Sequence, residues 1–345
     1  MATDRGTEKN GIPGVGEQPW LRTFPYKNSA RNKYRSRVPT KEIVDSLEAD
    51  AVIAEFSLNL SSTWHLAARA AAGRGPRLIF WSQGWNVERG FRRPSDLGIQ
   101  AARLALMAPA DGQVCYSEAG ADYLRRWLPQ RQGIFTARNT LDVDKIPRRV
   151  LTPRDENHKN LLFVGRLTKD KNVTLLVNIF ERASRDIPGL RLTIVGDGPE
   201  MSSVRASAEG VVGITITGPV YDPEVLAAHF QHAGLFVYAG SIGLAANQAL
   251  AYGVPVMVFD RPPGYNHHPE HEYVHDGRTG YRVTSSTPEA YAARLVTELR
   301  RPDPPRQRLE TAITDYVDSH LSLDAMVDGF GEVAKYLDQI GPRRR

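Results

Sequence analysis

The stretch from Leu235 to Phe259 constrains the fold of this chain more than any other part of its sequence. It opens with an apolar run that ends in a glycine-containing turn. A pattern of small residues typical of a buried helix then runs from Leu244 to Tyr252, Gly253 ends it, and a second apolar run begins at Val254. This order predicts a strand, a tight turn, a helix and a second strand, which is the repeating unit of a parallel sheet.

The turn that contains Gly240 and Gly243 is a candidate binding site. In a parallel sheet such turns lie at the carboxyl ends of the strands, where ligands bind, and the start of the following helix offers free N–H groups to an anion. Glycine lets the backbone approach a ligand closely. The alternative interpretation is that the two glycines only form a tight turn, and this stretch alone does not distinguish the two.

The composition fits a globular protein of the cytoplasm. The chain has 345 residues, which is enough for two domains, and a single cysteine, Cys115. One cysteine excludes an internal disulfide and a multi-cysteine metal site, and it is best explained as a small buried side chain in a reducing compartment. No apolar run is long enough to cross a bilayer or to serve as a signal peptide.

The basic residues are concentrated near the two ends of the chain. The net charge is +5, and two basic clusters contain no acid. These clusters suit the anionic surface of a membrane, which predicts a peripheral contact with the inner face of the cell membrane; solvated surface is the alternative explanation. The clustered residues are Lys27, Arg31, Lys33, Arg35, Arg37, Lys41, Arg343, Arg344 and Arg345.

Strand and helix patterns alternate along most of the chain, which predicts an α/β fold with mostly parallel sheets. Residues 1–40 have no usable period and are predicted to be an irregular basic arm. Residues 41–146 and 160–320 are each predicted to be a Rossmann-like domain, with a polar linker at 147–159 and a C-terminal helix and basic tail at 321–345. The N-terminal domain is predicted to be short by about one or two βα units.

Arg166 and Lys171 are candidates for binding a diphosphate. Both follow an apolar strand pattern and precede the next helix. Arginine can contact two oxygens at once and lysine supplies a mobile point charge. The alternative is two solvated charges in a loop, but the sheet edge predicted for them is also the edge of the Gly240 turn.

Five segments stand out along the chain: FTARNTLDVDKI (Phe135–Ile146), FVGRLTKDKN (Phe163–Asn172), IVGDGPE (Ile194–Glu200), GLAANQALAYGVPVMV (Gly243–Val258) and DGRTGYRV (Asp276–Val283). They resemble, in order, the motifs of the retaining glycosyltransferases of family four, including the branch that builds bacterial surface polysaccharides. These enzymes have the B-type fold, in which two Rossmann-like domains face each other across a cleft. The ordered series covers roughly residues 50 to 340 and is therefore more specific than any one motif.

The resemblance implies that a nucleotide diphosphate sugar binds mainly to the C-terminal domain, as a co-substrate and with no metal or cofactor. Arg166 and Lys171 would stabilise the leaving diphosphate. Glu272 falls where relatives have a glutamate that contacts or orders the sugar pocket. The remaining implied donor-binding residues are Gly165, Gly196, Gly198, Pro199, Val220, Gly240, Ser241, Ile242, Gly243, Leu244 and Gln248.

The chain departs from the family pattern at three places. The usual pair of glutamates falls on Gly240 and Gln248, and the amide of Gln248 can still hydrogen bond a ribose hydroxyl. Gln83 stands where many relatives have a histidine, and glutamine can orient a hydroxyl but cannot titrate. The third departure is at the N-terminus, where the glycine-rich loop of relatives has no counterpart after a strand.

Candidate acceptor-binding residues lie in the N-terminal half. Glu55 ends one predicted strand and Asn59 follows it, while Trp85 and Asn86 follow the next and would form a wall against a sugar ring. Glu55 is equally explained as an exposed loop acid and the tryptophan as core packing. Histidines near His267 invite a metal site, but their spacing lacks the His-Glu-x-x-His helix pattern, so metal binding is the less favoured interpretation.

The sequence thus favours a retaining, metal-independent glycosyltransferase that acts on a hydroxyl of a polysaccharide or lipid-linked acceptor. The alternative is a catalytically silent protein that binds a nucleotide sugar. A Rossmann dehydrogenase is disfavoured because no Gly-x-Gly-x-x-Gly lies at a strand-helix turn. Nucleic-acid binding is disfavoured because the basic residues cluster at the termini without a recognition fold.

Overall fold

The computed structural model describes residues 4–5, 24–25, 27–29, 32–37, 49–85, 94–130, 132–146, 159–301 and 305–343. Two compact units divide this part of the chain. The N-terminal unit contains the described residues up to 136 together with 329–343, and the C-terminal unit contains the described residues from 137 to 328. The predicted linker at 147–159 falls almost wholly outside the described residues.

The main sheet of the N-terminal unit has four parallel strands in chain order. The central strands are buried on both faces, which is the burial expected of a parallel sheet covered by helices. The strands are β5 (Ala51–Glu55), β6 (Arg77–Ser82), β7 (Gly112–Cys115) and β8 (Gly133–Thr136). The helices between them are α1 (Ser61–Ala71), α2 (Pro94–Met107) and α3 (Glu118–Trp127). Cys115 is fully buried in β7, as predicted.

Short strands also occur within residues 1–40, where the sequence predicted no regular structure. β1 (Asp4–Arg5) pairs in parallel with β2 (Phe24–Pro25). β3 (Lys27–Ser29) pairs with β4 (Asn32–Arg37) in an antiparallel hairpin. Polar and basic residues fill this hairpin, so it lacks the alternating apolar pattern by which a strand is recognised.

The C-terminal unit has a six-stranded parallel sheet with the order β11-β10-β9-β12-β13-β14. Its strands are β9 (Asn160–Val164), β10 (Arg191–Val195), β11 (Ile214–Gly218), β12 (Leu235–Tyr238), β13 (Val256–Phe259) and β14 (Gly280–Val283). Its helices are α4 (Val173–Ser184), α5 (Met201–Ala208), α6 (Pro223–Gln231), α7 (Ala245–Ala251), α8 (Pro288–Arg300) and α9 (Pro305–His320). The strand order reverses between β9 and β12, and ligands of open α/β sheets bind at such a switch point.

Helix α10 (Leu323–Ile340) returns the chain to the N-terminal unit, to which residues 329–343 belong. Asp111 links the returning segment to the sheet. Its carboxylate accepts hydrogen bonds from Arg77 at 2.7 Å, from Arg343 at 2.6 Å and from the amide of Leu78 at 2.8 Å. Arg77 also donates to the backbone carbonyl of Gly341 at 2.8 Å. These partners are mostly buried, with side-chain exposures of 10% for Asp111 and 11% for Arg343.

The predicted alternation of strands and helices is confirmed. Helix α9 was not predicted. Helix α7 is shorter than the predicted Leu244–Tyr252, and strand β13 starts at Val256 rather than Val254. No helix among the residues described is both long and apolar enough to cross a bilayer.

Candidate functional site

The loops that follow β9 and β12 meet at the switch point of the C-terminal sheet. The amide of Ser241 donates to the carbonyl oxygen of Asp170 at 2.7 Å. The ammonium of Lys171 donates to the carbonyl oxygen of Ser241 at 2.8 Å and pairs with the Asp170 carboxylate at 3.1 Å. Arg166 and Lys171 are therefore brought to the same edge as the Gly240 turn, as the sequence predicted.

Gly240 is the residue that allows this contact. A Cβ at this position would overlap the backbone carbonyl groups of Asp170 and Lys171. The resemblance places a glutamate of the family pattern here, but no side chain fits unless the β9 loop moves. The glycine is thus explained by the close approach of two backbones.

Two other predicted donor-binding glycines also have a packing role. Gly196 has φ +145°, and a Cβ there would overlap the carbonyl oxygen of Gly165. A Cβ at Gly198 would overlap the carbonyl oxygen of Leu167. This oxygen accepts a hydrogen bond from the amide of Glu200 at 3.0 Å. These contacts lock the loops after β9 and β10 together, so the sheet edge presents a compact surface of backbone.

The two cations differ in their surroundings. Arg166 is exposed and forms no ion pair with any residue that the structure describes. Lys171 is mostly buried, with 17% of its side chain exposed, and its ammonium lies 6.0 Å from the centre of the Tyr238 ring. Burial raises the pKa of the Tyr238 phenol, which therefore stays neutral beside the lysine. Arg166 is free to reach a ligand, whereas Lys171 is held in place.

The negative charge of Asp170 partly offsets the positive charge of Lys171. Burial opposes ionisation of this carboxyl, but hydrogen bonds from Thr168 and the charge of Lys171 outweigh it and lower the pKa of Asp170. The Thr168 hydroxyl donates to the carboxylate at 2.6 Å. Arg166, unlike Lys171, has no acid within ion-pair distance among the described residues.

The amides of the Gly240 turn are less accessible than predicted. The amides of Ser241 and Ile242 are both hydrogen bonded within the protein. The Ser241 amide donates to the carbonyl oxygen of Asp170, and the Ile242 amide donates to His267 Nδ1 at 3.2 Å. Helix α7 has seven residues and begins only at Ala245. Of the turn residues predicted to bind donor, Gly243 is half-buried and Leu244 exposed, and their amides donate to no residue that the structure describes.

His267 fixes the shape of this turn. Its Nδ1 accepts from Ile242, and its Nε2 lies 2.7 Å from the carbonyl oxygen of Phe259, which sets the tautomer with the proton on Nε2. Burial lowers the pKa of His267 to about 4. The ring is stacked on His271 with the ring centres 4.0 Å apart. These hydrogen bonds give His267 a structural role in the turn.

Replacing His267 with glutamine is expected to flatten the pH dependence of stability. The unfolded imidazole, with an ordinary pKa of 6.5, takes up a proton more readily than the folded one at about 4. The stability that the neutral His267 contributes to the folded state is therefore complete above pH 6.5 and is lost as the pH falls toward 4. The slope of the unfolding free energy between these values should decrease by about 1.4 kcal/mol per pH unit.

This slope can be measured by urea unfolding followed by circular dichroism at a series of pH values. His271 remains in the variant, and burial also lowers its pKa, to about 2. Some pH dependence should therefore persist. An unchanged slope in His267→Gln would show that the imidazole is not held neutral by this turn.

A buried polar cluster lies beside the turn, and the sequence did not single it out as a unit. The side-chain amide of Asn139 donates to the carboxylate of Glu270 at 2.7 Å. The backbone carbonyl oxygen of Asn139 accepts a hydrogen bond from the side-chain amide of Asn247 at 2.8 Å. Glu272, predicted to line the sugar pocket, lies 3.7 Å from Arg138. An asparagine inside the small-residue pattern of α7 was the signal that could have revealed this cluster.

The remaining predicted residues occupy several environments. Gln248 on α7 and Gln83 after β6 are half-buried, and neither side-chain amide hydrogen bonds to a residue that the structure describes. Pro199 is exposed and Val220 half-buried near the ends of β10 and β11. In the N-terminal unit, Glu55 and Asn59 are exposed, Trp85 contacts Tyr123 edge-on with ring centres 5.7 Å apart, and Asn86 lies outside the described residues.

Part of the chain is similar in sequence to known proteins. Residues 158–301 match the family model for Glycosyl transferases group 1. An exopolysaccharide phosphotransferase of Streptomyces coelicolor is 29% identical over 209 residues, which cover 58% of this chain and 21% of the relative. A D-inositol 3-phosphate glycosyltransferase of Segniliparus rotundus is 27% identical over 217 residues, covering 57% of this chain and 46% of the relative. The chain thus spans less than half the length of both relatives.

Solved structures share the fold over nearly the whole chain. A sucrose-phosphate synthase of Thermosynechococcus elongatus aligns with 99% of this chain and 89% of its own, with a TM-score of 0.68 and 19% sequence identity. The predicted α/β fold of two Rossmann-like domains is confirmed. Residues 158–301 are similar to the family Glycosyl transferases group 1, and the chain has the fold of the B-type glycosyltransferases.

Proposed function

We propose that this chain is a retaining glycosyltransferase that moves a sugar from a nucleotide diphosphate sugar to a hydroxyl of a glycan or lipid-linked acceptor. One observation carries the proposal. Arg166 and Lys171 lie after β9, the Gly240 turn lies after β12, and the two loops are hydrogen bonded to each other where the strand order reverses. The family match over residues 158–301 includes both loops.

Arg166 and Lys171 would stabilise the negative charge that develops on the leaving diphosphate as the glycosidic bond breaks. Fixed cations at a developing charge stabilise a transition state more than a ground state. Arg166 can contact two phosphate oxygens, whereas Lys171 is held by Ser241 and supplies a charge of fixed position. The amides of Gly243 and Leu244 and the side chain of Gln248 would complete the donor site, with neither a metal nor a cofactor in the scheme.

Retention of configuration is part of the proposal because neither Gln83 nor Gln248 can accept a proton at ordinary pH. In a front-face reaction the departing phosphate itself takes the proton of the acceptor hydroxyl. The two glutamines would then orient hydroxyl groups by hydrogen bonds. Glu272 would order the sugar pocket through its contact with Arg138.

The acceptor is proposed to be a polysaccharide or a lipid-linked intermediate at the inner face of the cell membrane. The basic residues near the termini support a peripheral contact, with one correction. Arg343 is buried against Asp111 and so does not contribute to a basic surface. Arg344 and Arg345 lie outside the described residues.

Replacing Arg166 or Lys171 with alanine is expected to weaken donor binding by at least about tenfold, because charge-assisted hydrogen bonds contribute about 1.5–3 kcal/mol each. Binding of a panel of nucleotide sugars, followed by calorimetry, checks this. Hydrolysis or transfer of the sugar that binds best is measured in parallel, and the anomeric configuration of the product is determined by NMR.

Arg185 provides a matched control. It lies just beyond α4 in the same unit, is exposed, and pairs with Glu181 at 2.8 Å, so Arg185→Ala removes one positive charge far from the turn. Donor binding should be unchanged in this variant. Failure of every nucleotide sugar to bind would contradict the proposal, and binding without any turnover would support the silent alternative.

A further inference from the structure

A cavity of about 420 Å³ lies beside β14, the edge strand of the C-terminal sheet. Its volume falls in the range of small-molecule sites, about 300–1,000 Å³. None of its lining residues belongs to the loop after β9 or to the Gly240 turn, so it is separate from the proposed donor loops. The lining residues are Asp260, Asp276, Arg282, Val283, Thr284, Ser285, Ala290 and Arg294.

The charged residues of this cavity form two ion pairs. Arg282 donates from Nε to the carboxylate of Asp260 at 2.5 Å, and Arg294 donates from Nη2 to the carboxylate of Asp276 at 2.9 Å. The carboxylates and guanidiniums in the walls are therefore equal in number, and their charges balance. A charged ligand would find no unbalanced partner here, so the cavity favours a neutral one.

Both guanidiniums are held from more than one side. Nη2 of Arg282 also contacts Nε2 of His271 at 3.3 Å. Arg294 donates from Nε to Glu298 at 2.7 Å, and its guanidinium carbon lies 5.5 Å from the centre of the Tyr281 ring. A ligand thus meets side chains that are already ordered, which lowers the entropic cost of binding.

The same charged groups keep hydrogen-bonding capacity for a ligand. Arg282 and Arg294 each retain one Nη group, and Asp260 one carboxylate oxygen, without a hydrogen bond to any residue that the structure describes. A sugar hydroxyl both donates and accepts, so neighbouring hydroxyls of one ring can bridge a carboxylate and a guanidinium. Val283 and Ala290 add apolar surface for the C–H groups of the ring.

We propose that this cavity is a second carbohydrate site, which binds an uncharged sugar unit of a glycan. The preference for a neutral ring with several hydroxyls follows from the cavity itself. The glycan as the source of that ring rests on the proposed function. Thr284 and Ser285 of the lining are exposed, so the rest of a glycan chain can continue into solvent.

The proposal can be tested by NMR of the full chain with isotope-labelled alanine methyl groups. Methyl glycosides of glucose, galactose, mannose and N-acetylglucosamine are titrated separately, with the anionic methyl glucuronide and the cationic methyl glucosaminide as charged probes. The Ala290 signal, identified by its absence in Ala290→Ser, should shift and saturate with at least one neutral glycoside. The charged probes should act only at higher concentration. A disaccharide of the responding sugar should bind at least as tightly, and weaker binding would contradict a glycan ligand.

Ala290→Met fills the cavity without changing a charge. It should weaken binding of the responding glycoside at least about tenfold, because the displaced ring loses hydrogen bonds to charged groups. Ala293→Met is the matched control, since Ala293 is exposed on the same helix and does not line the cavity. Its affinity should equal that of the wild type. Affinities are measured on the sugar signals by saturation-transfer NMR, and equal melting temperatures separate loss of binding from loss of fold.

An Ala290 signal that responds to no neutral glycoside, or equal affinity of Ala290→Met, would overturn the inference. A response to a charged probe as strong as that to the neutral glycosides would do the same. Nucleotide-sugar binding by Ala290→Met is also measured and should match that of the wild type. Normal donor binding with a silent Ala290 would refute this inference alone. A response of Ala290 without any donor binding would instead count against the proposed transferase and leave the carbohydrate site standing.

Discussion

Replacing Gly240 with glutamate is expected to abolish nucleotide-sugar binding rather than restore a catalytic carboxylate. The new Cβ would overlap the backbone of Asp170 and Lys171, and neither can yield by rotating a side chain. The β9 loop would have to move, which breaks the 2.8 Å contact of Lys171 with Ser241 and displaces the cation. Overpacking of this kind costs about 1–3 kcal/mol, and we expect the upper end because the clash is with backbone.

Calorimetric titration with the nucleotide sugar that binds best to the wild type measures the loss. Circular dichroism during urea unfolding measures the stability even if binding is absent. Gly243→Ala is the matched control, since its Cβ would lie 3.5 Å from the side chain of His268, an ordinary contact. Gly243→Ala should keep the nucleotide-sugar affinity and the stability of the wild type. If Gly240→Glu bound donor as tightly as the wild type, our account of this glycine would be wrong.

Replacing Asp111 with alanine is expected to destabilise the N-terminal unit by about 3–5 kcal/mol, the range for breaking a buried ion pair on one side. The variant leaves Arg77 and Arg343 without their carboxylate, and only 22% and 11% of these side chains are exposed. It also removes the acceptor of the Leu78 amide. Residues 329–343 should separate from the sheet before the rest of the unit unfolds.

Tryptophan fluorescence reports on this unit selectively, because it contains the tryptophans at positions 64, 81, 85 and 127 and none falls between 137 and 328. Trp81 contacts Phe330 of α10 with ring centres 5.3 Å apart, so its signal should change first. Asp122→Ala, which removes an exposed pair with Arg125 at 2.8 Å in the same unit, should cost less than about 1 kcal/mol. Equal unfolding curves for Asp111→Ala and the wild type would contradict the role given to Asp111.

The alternation of strands and helices was predictable because each parallel strand is an apolar run followed by a glycine or polar turn. Helix α9 was missed although its signal is present. Leu309, Ile313, Tyr316 and Val317 recur at helical spacing and are all buried, but prolines before Pro305 obscured the start of the pattern. Local periodicity is informative only when the ends of the element are also recognised.

The candidate site was predictable in part. The positions of Arg166 and Lys171 follow from strand ends, and parallel topology brings strand ends together. The use of the Ser241 and Ile242 amides within the protein was not predictable, since their partners Asp170 and His267 are distant in sequence. The pairing of Asp111 with Arg343 spans 232 residues and has no local signal at all.

The return of residues 329–343 to the N-terminal unit bears on how the protein is made. Domains generally fold as they leave the ribosome, the N-terminal one first. Here the sheet that is synthesised first lacks Phe330, Tyr336 and Arg343 until the whole C-terminal unit has been translated. The C-terminal unit has all its strands before then. The later-synthesised unit is therefore the one that can finish folding first on the ribosome.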